Sequence, residues 1–305
     1  MVNHINLKSA IYPDDPESTQ RLLDVIQVGL GRPGDVSTKA AALADDIRTL
    51  GEARRAMGEA SDFIEELCGV AVDVAFHLPP DHPWQDTFVQ TMQNVQQTEG
   101  DYESDKDEFD EGYEQGSDGD YESDGDDKQL DEVEYLDWKH LPEMGMFMRD
   151  CWFDPTTLDD WEPEEVSRWE NLNSFAARFK TDTFERWLTF PIWQLRDALE
   201  EKLDKGPILN SRLWIATEWI LFYGEIIFED QAAGEQFDRG TSRALEGGSL
   251  CKGIAQLSLE RLAFWKKRLL EMLDEREALG LSDEMAERVA KSAEMIGEFE
   301  SRQSQ

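Results

Sequence analysis

The sequence predicts an all-α fold: a multi-helix bundle with a long disordered acidic insertion. Three observations lead to this prediction. Apolar residues recur at helical spacing on both sides of the insertion, no segment alternates in the manner of a β-strand, and half of residues 99–134 are acidic. Hydrophobic residues make up 40% of the 305-residue chain, which is enough for a sizeable buried core.

Residues 1–98 are predicted to form the N-terminal helical part of the core. Between residues 63 and 78, apolar side chains recur every three or four positions, which places them on one helical face. Pro79-Pro80 stops this helix, and a second stripe follows over residues 84–95.

A glycine motif interrupts the N-terminal part. Gly29, Gly31 and Gly34 satisfy the GxGxxG spacing of a dinucleotide site, which requires a strand before the first glycine. The preceding residues 22–30 instead carry apolar side chains at helical spacing. We therefore interpret the glycines as a helix C-terminus followed by a Pro-Gly turn, and predict no cofactor.

Residues 135–301 are predicted to form the C-terminal helical part of the core. Pro163, followed by two glutamates, has the features of a helix start. Residues 188–203 form another amphipathic helix. Residues 211–229 are apolar nearly all round, which is typical of a helix at the centre of a bundle.

The remainder of this part begins with a glycine-rich stretch. Residues 231–253 contain five glycines and are interpreted as a loop. A long helix follows and is closed by Gly280, and Ser282 opens a last, more polar helix. The inward face of the long helix is predicted to carry Leu259, Leu262, Trp265, Leu269, Leu270 and Leu273.

Three charged residues lie on predicted apolar stripes: Arg196, Glu218 and Lys266. A lone buried charge is very costly, so we expect these side chains to pair, with Arg196 bound to Glu218 on a facing helix. Such a pair would fix helix register; the alternative is a polar pocket that binds a small ligand. Three polar residues beside their stripe are interpreted as solvated: Asn171, Asn173 and Arg178.

The charge balance restricts the partners. The chain has 67 acidic and 30 basic residues, a formal net charge of −37, which disfavours nucleic acid and anionic membranes as partners. Its three cysteines are far apart and the N-terminus has no basic start followed by an apolar run. These features predict a protein of the cytoplasm or nucleus, in a reducing compartment.

Residues 99–134 concentrate this charge. They hold 18 acidic residues and two lysines, a net charge of −16. Such a composition buries too little apolar surface to offset its ordering entropy, so we expect a mobile insertion that contacts basic proteins. Ser104, Ser117 and Ser123 each have Asp at the first and third following positions, which predicts phosphorylation by an acid-directed kinase.

Metal and catalytic motifs are weak. Residues 120–131 follow the oxygen positions of an EF-hand loop, but Asp127 replaces its apolar eighth residue. No GxSxG, HExxH or Walker sequence occurs. We predict no metal, no catalytic residue and no enzyme. One group of potential ligands is close in sequence but matches no zinc spacing: Cys68, Asp73, His77, Asp81 and His82.

Five blocks in the second half resemble a known family. In order, the blocks are WKHLPEMGMFMRDCW (138–152), WENLNSFAARF (169–179), IWQLRDALE (192–200), WIATEWILFYGEIIF (214–228), and GGSLCKG (247–253) followed by LERLAFWKKRL (259–269). Together they resemble the fungal domain-of-unknown-function 3632 family. The resemblance implies an all-helical, intracellular protein of a filamentous fungus, and it supplies no reaction, ligand or catalytic residue.

Two functional hypotheses follow. The first is a non-enzymatic interaction protein whose acidic residues 99–134 contact a basic partner. The alternative is a small-molecule binder or enzyme with a tryptophan-rich pocket around Arg196 and Glu218.

Overall fold

The computed structural model describes residues 5–10, 15–97, 136–141, 143–180, 188–234 and 237–303. Within these ranges the chain forms twelve α-helices and no β-strand, so the predicted all-α fold is confirmed. The helices are α1 (Glu17–Leu30), α2 (Val36–Arg55), α3 (Ala60–His77), α4 (Pro83–Gln96), α5 (Met144–Asp150), α6 (Pro163–Arg178), α7 (Thr189–Leu195), α8 (Pro207–Ala233), α9 (Arg239–Ala244), α10 (Leu259–Asp274), α11 (Arg276–Leu279) and α12 (Asp283–Gln303).

The glycine motif lies in the turn between two helices. Gly31 caps the end of α1, and the Asp35 carboxylate caps α2 by accepting a 2.9 Å hydrogen bond from the Thr38 N–H. A Cβ on Gly29 would lie 2.5 Å from the Leu43 side chain, so this glycine lets α1 and α2 approach closely. The interpretation as a helix end and turn is confirmed.

The C-terminal half is organised around α8, which packs against α6, α7, α10 and α12. This central position explains why α8 is apolar nearly all round. The neighbouring helix starts follow the predicted rules. Glu162 and Glu165 form a capping box before α6, and Ser282 Oγ accepts a 3.1 Å hydrogen bond from the Met285 N–H at the start of α12.

Three segments differ from their predictions. The helix predicted over 188–203 is α7 followed by a π-helical turn, Arg196–Glu200, in which the wider turn changes the direction of each later side chain. The loop predicted over 231–253 contains α9, whose start is capped by the Asp238 carboxylate. On α10, Leu259 and Leu270 are exposed although they were predicted to face inward, and Arg261 is buried instead.

The buried side chains form one hydrophobic cluster that includes residues from both sides of residues 98–135. Helix α6, from the C-terminal part of the core, packs against α3 and α4 of the N-terminal part. The whole of the predicted acidic insertion, residues 99–134, lies outside the described residues. The described chain stops at Gln97 and resumes at Leu136.

Candidate functional site

The Glu218 carboxylate lies at the centre of the C-terminal half, with 1% of its side chain exposed. Each of its oxygens pairs with an arginine from a different helix. Arg178 at the end of α6 donates to Oε1, and Arg288 of α12 donates to Oε2 at 2.6 Å. A buried carboxylate is tolerated only when it is neutralised and hydrogen-bonded, and these two arginines provide both conditions.

Neutral polar side chains complete this network. Ser174, one helical turn before Arg178, donates from Oγ to Glu218 Oε1 at 2.6 Å. Its Oγ also lies 3.1 Å from Oε1 of Gln85 on α4. The Gln85 amide is held in turn by two backbone carbonyl oxygens, those of Leu78 and Asn171. We call this set of side chains the Glu218 network: Gln85, Ser174, Arg178, Glu218 and Arg288.

Aromatic rings of α8 cover both arginines. The Arg178 guanidinium lies 3.8 Å from the ring centre of Phe222, and that of Arg288 lies 4.9 Å from the ring centre of Trp214. The two rings are one helical turn on either side of Glu218, so one helix supplies the anion and both stacking surfaces. Burial lowers the pKa of Arg178, and the Glu218 charge opposes this effect.

The predicted pairing of Arg196 with Glu218 is wrong. Arg196 Nε lies 3.3 Å from Oδ1 of its neighbour Asp197, and both side chains remain partly exposed. The physical reason is the π-helical turn that begins at Arg196, because it directs Glu200 rather than Arg196 into the core. Lys266 is also partly exposed and pairs with Glu300 of α12. The structure therefore brings none of the three predicted charges together.

A groove opens beside the Glu218 network, where the end of α6 meets α2, α4 and α8. Its volume is about 360 Å³. Arg178 contributes to its wall, with 12% of its side chain exposed, and Asp86 Oδ1 lies 3.5 Å from Arg178 Nε. The residues that line it include Val36, Asp86, Val89, Arg178, Lys180 and Phe222.

A second buried carboxylate, Glu200, lies at the end of the π-helical turn and is fully buried. Arg261 of α10 binds it with two hydrogen bonds, from Nε to Oε1 at 2.7 Å and from Nη2 to Oε2 at 3.1 Å. The Trp265 indole N–H donates to Oε1 at 2.6 Å. The arginine is 1% exposed at its side chain, so the ion pair is sealed from solvent.

This ion pair also holds the loop before α10. The Gly248 N–H donates to Glu200 Oε2 at 2.7 Å, and Arg261 Nη1 donates to the backbone oxygen of Leu245 at 2.7 Å. A Cβ on Gly248 would lie 2.7 Å from the Glu200 backbone oxygen, so the site requires glycine. Burial, with a smaller contribution from the Glu200 charge, raises the pKa of the Cys251 thiol to about 11, and this cysteine is protonated at neutral pH.

The prediction that Asn171, Asn173 and Arg178 are solvated is wrong, because both asparagines are buried and 12% of the Arg178 side chain is exposed. Asn173 accepts a 3.0 Å hydrogen bond from the Trp219 indole N–H. One signal was present in the sequence. Ser174 and Ser292 lie four residues from Arg178 and Arg288, and a small side chain one turn away leaves space for a guanidinium.

The described residues on either side of 98–135 lie close together on the core. Gln96, at the end of α4, donates from Nε2 to the Lys139 backbone oxygen at 3.4 Å. Trp138 is 8% exposed and packs edge-on against Phe63 of α3. A Cβ on Gly51 of α2 would lie 2.6 Å from the Trp138 ring, so this indole is closely seated.

The two histidines that are close in sequence, His77 and His82, have separate contacts. His77 Nδ1 lies 2.8 Å from the Asp73 backbone oxygen, whereas His82 Nδ1 accepts a hydrogen bond from the Trp84 N–H and caps α4. Burial raises the pKa of Asp73 to about 6 and lowers that of His77. Among the described residues, no three His, Cys, Asp or Glu side chains are grouped so that they could hold a metal ion.

Several predicted features fall outside the described residues. The candidate phosphorylation sites Ser104, Ser117 and Ser123 belong to this group, as do residues 120–131, which follow the EF-hand spacing. These remain predictions from the sequence. In the described part of the chain, no helix is both long enough and apolar enough to cross a bilayer.

The fold and its contacts define an all-helical protein with two buried arginine–carboxylate networks. Comparison with family models identifies it further. The model for a protein of unknown function (DUF3632) matches residues 69–269, which is more than half of the chain. The chain belongs to the DUF3632 family, as the five sequence blocks indicated. Comparisons with curated proteins and with solved structures found no match.

Proposed function

We propose that this DUF3632 protein is a non-enzymatic interaction protein. In this proposal the helical core is a scaffold, and the acidic residues 99–134 contact a basic protein. The observation that carries the proposal is the charge of this segment, with 18 acidic residues against two lysines. A charge of −16 in 36 positions produces a field that attracts basic surfaces and raises association rates.

The attachment of the segment supports the proposal. The Gln96 side chain is hydrogen-bonded to the Lys139 backbone, and Trp138 is buried against α2 and α3. The described residues on either side of 98–135 therefore lie close together on the core. In this proposal, a partner drawn to the charge meets the protein beside this region of the scaffold.

The use of buried charges inside the core also supports a scaffold role. Glu218 is neutralised by two arginines, and Glu200 is bound by Arg261 and by the indole of Trp265. These carboxylates are the most buried in the described core, and their oxygens already accept hydrogen bonds. A group that is saturated in this way stabilises a fold more readily than it transfers protons.

The alternative hypothesis placed a small-molecule or enzyme pocket around Arg196 and Glu218. Those two residues are not paired. The indole N–H groups of Trp219 and Trp265 donate to protein acceptors, whereas those of Trp152 and Trp169 are buried without a hydrogen-bond partner in the described part of the chain. A ligand at that position would have to displace existing contacts. The contacts therefore favour the interaction protein.

Aromatic residues and phosphorylation would modify the binding. Four aromatic residues are interspersed among the acids and would add apolar contacts to the attraction. Phosphorylation of Ser104, Ser117 or Ser123 would add about 1.5 to 2 negative charges at each site and strengthen the attraction further. The aromatic residues are Tyr102, Phe109, Tyr113 and Tyr121.

The proposal is tested with a fluorescently labelled oligolysine peptide as the basic probe. We expect the full chain to bind it, with affinity falling at least tenfold between about 50 mM and about 500 mM salt because the charges are screened. A variant of equal length, with the acids of residues 99–134 changed to Asn and Gln, is expected to lose the binding. Its helicity is expected to equal that of the natural chain by circular dichroism.

A scrambled variant provides the matched control. It keeps the composition of residues 99–134 in a different order, so an interaction set by charge is expected to persist. Equal affinity of the neutralised and natural chains for oligolysine would overturn the proposal.

A further inference from the structure

The groove beside Arg178 is lined by charges of both signs. Asp86 of α4 supplies a carboxylate that is 62% exposed. The end of α6 supplies two cations, Arg178 and the exposed Lys180. Among the described residues, Lys180 has no ion-pair partner. The groove therefore holds an exposed carboxylate, which is 3.5 Å from Arg178, and a lysine that is available to a ligand.

Apolar side chains share the lining with these charges. Val36 of α2, Val89 of α4 and Phe222 of α8 contribute to the lining. The volume of about 360 Å³ is at the lower end of the range for small-ligand sites, roughly 300 to 1,000 Å³. The groove thus has room for a small molecule with one apolar part and charges at its other end.

Two parts of the groove wall, the Arg178 side chain and the Lys180 backbone, are held by contacts within the core. The Arg178 guanidinium is held by Glu218 and by the ring of Phe222. Gln93 donates from Nε2 to the Lys180 backbone oxygen at 2.8 Å, which joins α4 to the end of α6. A site with fixed side chains loses less conformational entropy on binding.

We propose that this groove binds a small zwitterion with an aliphatic side chain, such as an α-amino acid of the size of leucine. The ligand ammonium would pair with Asp86, and its carboxylate would pair with Lys180 and the exposed edge of Arg178. Its side chain would contact the apolar lining. A simple anion would be repelled by Asp86, and a simple cation by Lys180. A zwitterion is therefore the class of ligand that can pair with both charges.

This inference is independent of the acidic segment. Every residue it uses belongs to the described core, and removal of the charge of residues 99–134 leaves the groove unchanged. A failure of the oligolysine experiment and a failure of the groove experiment can therefore be distinguished.

The experiment is isothermal titration calorimetry of the full chain with L-leucine. Two analogues of the same carbon skeleton separate its charges, because 4-methylpentanoate lacks the ammonium and 3-methylbutylamine lacks the carboxylate. We expect L-leucine to bind with a Kd of roughly 1 mM, and each analogue to bind about tenfold more weakly.

Variants at exposed positions locate the site without disturbing the core. Asp86→Asn and Lys180→Gln are each expected to weaken L-leucine binding about three- to tenfold. Asp81→Asn removes an exposed carboxylate from the turn before α4 and is the matched control, expected to leave the affinity unchanged. The thermal unfolding temperature of each variant without ligand verifies that it is folded.

The outcomes divide clearly. A loss of affinity in Asp86→Asn or Lys180→Gln, with Asp81→Asn unchanged, supports the proposal. It is overturned by the absence of L-leucine binding at about 10 mM, ten times the expected Kd. It is also overturned if 4-methylpentanoate or 3-methylbutylamine binds as tightly as L-leucine, or if both groove variants bind with full affinity.

Discussion

Glu200 and Glu218 are both carboxylates in the core, yet they are neutralised in different ways. Arg261, the partner of Glu200, is itself fully buried, and the same carboxylate also binds the backbone of the loop before α10. The two partners of Glu218 retain contact with the surface, with 12% of Arg178 and 21% of Arg288 exposed.

The difference shows how one rule of physical chemistry produces two kinds of site. A buried carboxylate requires a cation and hydrogen bonds, and a helical core supplies both most readily from an arginine on a facing helix. With Glu200 the result is a fully buried ion pair that joins a π-helical turn to the loop before α10. With Glu218 the same requirement brings Arg178 to the edge of an open groove.

The largest effect on stability is expected when the Glu200–Arg261 ion pair loses its negative charge. Glu200→Gln leaves Arg261 buried without a counter-ion, which is expected to lower the free energy of unfolding by about 3 to 5 kcal/mol. Urea denaturation measures this change. Glu201→Gln is the control, because Glu201 is partly exposed and accepts a hydrogen bond from the Ser249 N–H; its expected cost is about 1 kcal/mol or less.

A smaller loss is expected at the open network. Glu218→Gln leaves two arginines without their central anion, but both can reach solvent and Arg178 still has Asp86 nearby. We expect a cost of about 2 to 3 kcal/mol by the same denaturation measurement. A cost equal to that of Glu200→Gln would show that the exposure of the arginines does not distinguish the two networks.

Asp73 sharpens the comparison because it is half-buried and, in the described part of the chain, has no ion pair. Burial, together with the charge of Asp15, raises its pKa to about 6 from the ordinary 3.8. The folded state therefore binds this proton more tightly than the unfolded state. Ionisation of Asp73 consequently lowers stability as the pH rises from about 4 to above 6.

Asp73→Asn removes this cost. The variant is expected to be more stable than the natural protein at neutral pH, by about 1 kcal/mol or less because the side chain is partly solvated. The gain is expected to shrink as the pH falls through 6 and to vanish near 4. Urea denaturation across this pH range tests the trend, and a difference independent of pH would contradict it.

Features that depend on neighbouring residues in sequence were predictable. Pro163 at a helix start, Ser282 as a cap and the glycine turn after α1 follow from local backbone chemistry, and all three are present. The central position of α8 was also predictable, because a helix without a polar face has to be surrounded.

The partners of buried charges could not be predicted in the same way. A helical stripe shows that Glu218 faces inward, but several helices surround α8, and three of them, α6, α10 and α12, carry arginines. The pairing of Arg196 failed because a π-helical turn has no clear signature in the residue pattern, and it changes which side chain enters the core. Glu200 and Arg261 were not predicted to be buried, because each is a charged residue at a position where the apolar periodicity favours solvent.

The central claim is that the helical core and the acidic residues 99–134 have separable roles, folding and binding. Deletion of this segment, with measurement of unfolding and oligolysine binding on the same sample, tests it most directly. The account predicts an unchanged free energy of unfolding, within about 1 kcal/mol, and a loss of binding. Retained oligolysine binding by the shortened chain would contradict it.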